Sequence, residues 1–145
     1  MKFVKLTSTA QTPIKGSPFA AGYDLFADIT DADYITIPPH MTVKVSTGIA
    51  IELPENTFGG IFPRSGLASK TGLAPANKVG VIDEDYRGPV IVALHNHSNE
   101  YAVIQHGARI AQLIVIPYQK IEFEEVESLS DTVRGAGGFG STGSK

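Results

Sequence analysis

Short apolar-rich runs recur along the chain between more polar stretches, set off by clusters of Gly, Pro, Asn or Asp. They are Phe3–Leu6, Tyr23–Ala27, Tyr34–Ile37, Thr42–Ser46, Ile49–Leu53, Phe58–Phe62, Val79–Ile82, Val90–Leu94, Tyr101–Ile104, Arg109–Ile116 and Ile121–Val126, all rich in Val, Ile, Thr, Phe and Tyr. Such a pattern predicts an all-β fold, a sandwich or a barrel. Only "SGLASKTG" reads as a helix, of a turn or two, with Ser65 as its N-cap and Gly72 just past its end. The run "RIAQLIVIPY" is apolar on both alternating faces, which predicts a strand buried on both sides or one that closes a subunit interface. Gln112 interrupts it, either as a buried hydrogen-bond hub or as a group aimed into a ligand site.

Length sharpens this picture: 145 residues suit one domain with a single core. No internal repeat is present, and the single low-complexity stretch is "RGAGGFGSTG" near the carboxyl end. The expected organisation is a β domain over residues 1–133 and a flexible lid over 134–145. A pure linker has no use for an arginine and a phenylalanine, so Arg134 and Phe139 imply that something covers this segment. The amino end turns polar within six residues, and no stretch is apolar for the eighteen or more positions of a membrane span, so an intracellular, cytoplasmic protein is expected. The absence of cysteine removes disulfides, thiolate nucleophiles and cysteine-ligated zinc.

A net charge of −3 argues against nucleic acid as a general partner, so anionic ligands must be met by local clusters. The four arginines, Arg64, Arg87, Arg109 and Arg134, each lie within two residues of a glycine, where a guanidinium fork and close backbone N–H groups can serve one anion together. "PRSGLASK" sets Arg64, Ser65 and Gly66 at a helix start, either an ordinary capped helix or a phosphate site. "GVIDEDYRG" places Asp83, Glu84 and Asp85 after an apolar strand. That is either an acidic turn in solvent, the usual case for three adjacent acids, or a carboxylate tuned by burial and like charge toward general-base work, and Tyr86 and Arg87 add a planar surface and an anion fork beside it. Asp24, in the apolar strand "AGYDLFA", is expected to face solvent rather than to support a metal. His95 and His97 share a strand face, but no third ligand lies at zinc spacing. Gly135, Gly137 and Gly140 match a dinucleotide fingerprint by accident, since only five residues follow where a helix is required.

In order and over nearly the whole chain, "AGYDLFA", "PRSGLA", "GVIDEDYRG", "GARIAQL" and "RGAGGFGSTG" closely resemble the five motifs of the trimeric dUTPase family. The resemblance implies a jelly-roll-like β subunit and a homotrimer whose three sites each draw on all three chains. It also implies Mg²⁺-dependent hydrolysis of dUTP to dUMP and pyrophosphate, which keeps uracil out of DNA and supplies dUMP for thymidylate synthesis. By motif position, Asp83 is similar to the residue that activates the water attacking the α-phosphorus, and Tyr86 to the one that packs on deoxyribose and excludes a 2′-hydroxyl. The hairpin leading into this motif, with Asn77, Val81 and Ile82, matches the uracil-reading segment. Arg64, Ser65, Gly66 and Gln112 match phosphate contacts, and Asp24 a carboxylate that supports the metal's water shell. Arg134, Phe139, Gly140, Ser141 and Thr142 match the tail that clasps the terminal phosphate and stacks over uracil. Two rivals remain at this level: a dCTP deaminase of the same superfamily, and a catalytically idle trimer that binds dUTP as a signal.

Overall fold

The structure is a computed structural model that describes residues 1–138. Its strands are β1 (Lys2–Lys5), β2 (Ile14–Lys15), β3 (Tyr23–Phe26), β4 (Tyr34–Ile37), β5 (Thr42–Glu52), β6 (Thr57–Phe62), β7 (Leu73–Pro75), β8 (Gly80–Ile82), β9 (Pro89–Asn96), β10 (Ala102–Gln105) and β11 (Arg109–Pro117), with helix α1 at Ser65–Thr71. They form a sheet of order β1-β5-β9-β7, a second of order β2-β3-β11-β6-β8 and a ribbon of β4 and β10, every pair antiparallel. The all-β expectation holds.

Period-two alternation builds the core. Along β9, Val90, Val92, Leu94 and Asn96 point inward while Ile91 faces out; along β10, Ala102 and Ile104 are buried and Val103 is exposed. The buried apolar ones among these join Leu25, Ile37, Val45, Ile61, Leu73 and Leu113 in one cluster drawn from all three sheets. β11 lies between β3 and β6, so Ile110, Ala111 and Leu113 are fully buried, as its two-sided apolar pattern requires.

Several boundaries differ from expectation, each for a physical reason. The runs at 42–46 and 49–53 are one strand, β5, because Thr47-Gly48 forms a bulge rather than a turn. Gly48 sits at φ +66°, and a Cβ there would collide with Asp28 and Ala10. The Thr47 hydroxyl donates to the Val90 carbonyl at 2.7 Å, and the Ser46 hydroxyl accepts from Gly48 N–H at 3.0 Å, so the groups displaced by the bulge find partners. β2 and β7 escape the sequence pattern because they are two and three residues long. The segment 121–126 is exposed and unpaired rather than a strand, since among the described residues no strand pairs with it. At α1 the N-cap is Arg64, in extended conformation, and Ser65 is already helical, so no side chain caps this terminus; Gly72, at φ +71°, closes the other end. No described helix is long and apolar enough to cross a membrane.

Candidate functional site

Strand pairing assembles one cleft. On β3 and β11, Asp24 lies opposite Gln112, and on β11 and β6, Gln112 lies opposite Phe62, which leads through Pro63 to Arg64. Asp24 is buried at 8% exposure and carries two cations: Arg64 Nε donates to Oδ1 at 2.8 Å and Arg109 Nη1 to Oδ2 at 3.1 Å. The expectation that Asp24 faces solvent is therefore corrected, because its neighbours are arginines from two other strand ends. Gln112 is half-buried and makes a structural hydrogen bond at the edge of the cleft. Its Nε2 donates to the Pro63 carbonyl at 2.9 Å, while its side chain helps to line the cleft. Gly22 admits this arrangement, since a Cβ there would lie 2.5 Å from Gln112 Oε1. The resulting open cleft, about 210 Å³, is lined by Gly22, Asp24, Arg64, Ser65, Arg109 and Gln112, with Ser65 and Gly66 exposed at the uncapped start of α1. Two guanidinium groups against one carboxylate leave it positive, which suits phosphate.

A second cleft forms around Asp83. β8 is the outer strand of its sheet, so the backbone edge turned away from β6 has no partner strand. Val81 is exposed, Ile82 is buried with the core, and both line an open cleft of about 370 Å³ with Asp83, Tyr86, Pro89 and Ile91. Tyr86 is held in place: its hydroxyl donates to the Pro89 carbonyl at 3.0 Å, its N–H bonds the Asp83 carbonyl at 3.1 Å, and Gly88 leaves room for its ring. The hairpin expected here is instead a turn between sheets, because β7 pairs with β9 and β8 with β6; in it, exposed Asn77 precedes Lys78 at φ +64° and offers its carbonyl to Val79 N–H at 2.7 Å. Asp83 itself is exposed, and among the described residues its carboxylate makes no hydrogen bond or ion pair. The burial expected for it is thus absent in the single chain. The three acids are not alike, because Glu84 turns away to accept from Asn56 N–H, Tyr118 Oη and Lys120 Nζ.

The two clefts are separate on one chain. Gln112 is level with Phe62, whereas Ile82 pairs with Gly59 and Asp83 follows it, level with Phe58. At ~3.3 Å per residue these levels are roughly 13 Å apart along β6, and two strand spacings of ~4.8 Å separate β11 from β8 as well. The chain brings Asp24, Arg64, Ser65, Gly66 and Gln112 together, and Val81, Ile82, Asp83 and Tyr86 together, but not the first set with the second.

The remaining residues fall outside both clefts. Arg87 donates to the Glu84 and Tyr86 carbonyls, at 2.7 and 3.0 Å, and so braces the turn. Arg134 is exposed and donates through Nε to the Gly137 carbonyl at 2.8 Å. Phe139, Gly140, Ser141 and Thr142 lie outside the described residues. His95 and His97 pack edge to face at 4.4 Å, and the described residues contain no group of three or more metal-ligating side chains. Sequence reasoning named Arg109 among the glycine-flanked arginines suited to an anion without placing it in this cleft, and it missed Glu84 as a clamp, for which there was no sequence signal.

The family model for dUTPase matches residues 8–143. The chain belongs to the dUTPase family. It is 48% identical to the deoxyuridine 5′-triphosphate nucleotidohydrolase of Desulfitobacterium hafniense, over 97% of this chain and 93% of that one. It is also 48% identical to the human mitochondrial protein of the same name, over 99% of this chain and 54% of the human one. Among solved structures, a variant dUTPase of Staphylococcus bacteriophage 80alpha with dUpNHpp superposes with a TM-score of 0.88 at 27% identity, covering 98% of this chain and 97% of the other. A dUTPase of phage phi11, described with a structural Mg(II) ion, superposes at 0.77 with 25% identity, over 88% and 96%. As a dUTPase the chain is a nucleotide hydrolase, a dUTP diphosphatase.

Proposed function

We propose that the enzyme hydrolyses dUTP at the α-phosphorus with a water activated by Asp83, in sites shared between copies of the chain in a homotrimer. The observation that carries this reading is the contrast between the clefts. One holds a carboxylate with no bonded partner beside a locked tyrosine, and the other holds the positive charge a triphosphate needs. A general base must come within hydrogen-bond reach of the attacking water, and the phosphates must sit on the arginines. Half-sites roughly 16 Å apart, from the strand spacings above, serve one α-phosphate only if a second copy supplies one of them.

In this reading the free edge of β8, with Val81, Ile82 and the Asn77 turn, reads uracil through backbone N–H and C=O groups. Cytosine would leave those groups mismatched. The Tyr86 ring packs on deoxyribose where a 2′-hydroxyl would need space. Arg64, Ser65, Gly66 and Gln112 hold phosphates, and Arg109 joins them. Residues 134–142 close over the nucleotide, Arg134 on the terminal phosphate and Phe139 on the base.

The donor set fits Mg²⁺ that enters bound to the triphosphate: Asp24 already accepts from two guanidinium groups, and its remaining lone pairs suit a metal-bound water rather than the ion itself. Bound there, Mg²⁺ supplies charge neutralisation on the phosphates. Asp24 and the two arginines keep the phosphates oriented, and Asp83 takes the proton of the attacking water. Release of pyrophosphate from dUTP, dTTP, dCTP and UTP, with Asp83→Asn in parallel, tests the reading. Turnover of dUTP alone, lost in the variant, is expected; ammonia from dCTP, or full activity in Asp83→Asn, would overturn it.

A further inference from the structure

We infer that Glu84 is a positioning residue for this reaction, holding Asp83 in place through a clamp built from Asn56, Tyr118 and Lys120. The inference rests on the reading of Asp83 given above and extends it to residues that touch no substrate.

Three donors from two separate parts of the chain meet at the Glu84 carboxylate. Oε2 accepts from the Asn56 backbone N–H at 3.0 Å, from Tyr118 Oη at 3.1 Å and from Lys120 Nζ at 3.3 Å. Asn56 lies in the β5–β6 turn at φ +59°, and Tyr118 and Lys120 follow β11 directly. The turn and the β11 exit are themselves tied, since Tyr118 N–H donates to the Asn56 carbonyl at 3.0 Å. A carboxylate with three donors from two well-anchored segments has little freedom to move. The Glu84 carbonyl is fixed as well, by Arg87 Nη1 at 2.7 Å, and the Asp83 carbonyl by Tyr86 N–H at 3.1 Å.

Asp83 therefore has a pinned backbone and an unpaired side chain. That division suits a group that must aim at a water without a hydrogen bond of its own to aim it, because small misplacements of a catalytic group cost large factors in rate. Electrostatics adds a second effect. Glu84 is paired with Lys120, so the nearest like charge to Asp83 in sequence is compensated. The clamp also opens onto a cleft of about 610 Å³ lined by Phe58, Val81, Asp83, Glu84, Tyr118 and Lys120, so its groups stand beside Asp83 and not on the far side of the fold.

The test is steady-state kinetics with dUTP for Glu84→Gln, Tyr118→Phe and Lys120→Met, alongside Asp83→Asn and Lys120→Arg. A positioning role predicts kcat lowered about 10-fold or more in Glu84→Gln with KM changed less than about 3-fold, a smaller loss of the same kind in Tyr118→Phe and Lys120→Met, and retention in Lys120→Arg. If Asp83→Asn is inactive while Glu84→Gln, folded and trimeric, keeps wild-type kcat, the clamp is overturned and the site reading stands. If Asp83→Asn keeps its turnover, the site reading itself fails. Should Glu84→Gln not fold, Tyr118→Phe decides alone: a fall in kcat at unchanged KM supports the clamp, and unchanged kcat overturns it.

Discussion

At the scale of single residues, the informative groups are those whose partners differ from what their position along the chain suggests. Asp24 follows a glycine and a tyrosine in an apolar strand, yet its two oxygens each hold an arginine. Asp24→Asn keeps the shape but turns an amide donor toward one guanidinium, leaving that cation without its acceptor. Its expected effect is a loss of about 1–3 kcal/mol in stability and a KM for dUTP raised about 10-fold, checked by urea unfolding and initial rates. Glu84 gives a second, pH-dependent expectation. The Asn56 N–H, followed by Lys120 and Tyr118, holds its carboxyl below the usual carboxylate range. The folded state therefore binds this proton less readily than the unfolded chain does. The stabilisation it gives is complete above the unfolded value of ~4.3 and disappears as pH falls through the lower folded value. Urea midpoints of the wild type and Glu84→Gln should differ near neutrality and converge under acid conditions; a gap that persists in acid would show that the charge is not the cause.

At the scale of elements, register decides the site. Gln112 stands opposite both Asp24 and Phe62, and one glycine makes the row possible by leaving its Oε1 room. Gly22→Ala should push Gln112 off the Pro63 carbonyl and weaken triphosphate binding while Asp83 and its cleft stay in place. Isothermal titration with a non-hydrolysable dUTP analogue, with circular dichroism as the control for folding, measures this. The same example shows what was legible in the sequence and what was not. β4, β9 and β10 announce themselves through period-two patterning, because one face of each is buried and the other is not, whereas β3, β6 and β11 show as apolar runs buried at consecutive positions. The Thr47-Gly48 bulge reads as a break because a glycine at positive φ looks the same in a bulge and in a turn. Residues 121–126 carry strand chemistry without a partner edge, and no local pattern encodes the partner. Within the site, Asp83, Tyr86, Arg64 and Gln112 lie in motifs that can be recognised one by one. The Arg109–Asp24 pair joins residues far apart in sequence, and only the pairing of β3 with β11 brings them into contact.

At the scale of the whole molecule, the separation of the two clefts makes a claim about assembly that mixing can test. If each site takes its arginine cleft from one chain and Asp83 from another, then Arg64→Ala and Asp83→Asn, each inactive alone, complement one another in mixed trimers. In a random 1:1 mixture a site receives an intact arginine cleft from half of the chains and an intact Asp83 from half, independently, so about a quarter of the sites are whole. Co-refolding the two variants should therefore restore about a quarter of wild-type kcat per site with the wild-type KM, since the restored sites are normal and only fewer. If both clefts of one chain served the same nucleotide, no mixture would contain an intact site, and activity would stay at the level of the single variants. Mixing without refolding provides the internal control, because preformed trimers of the proposed kind would exchange chains only by dissociating. Recovery that appears only after refolding ties the activity to assembly rather than to contamination by wild-type protein.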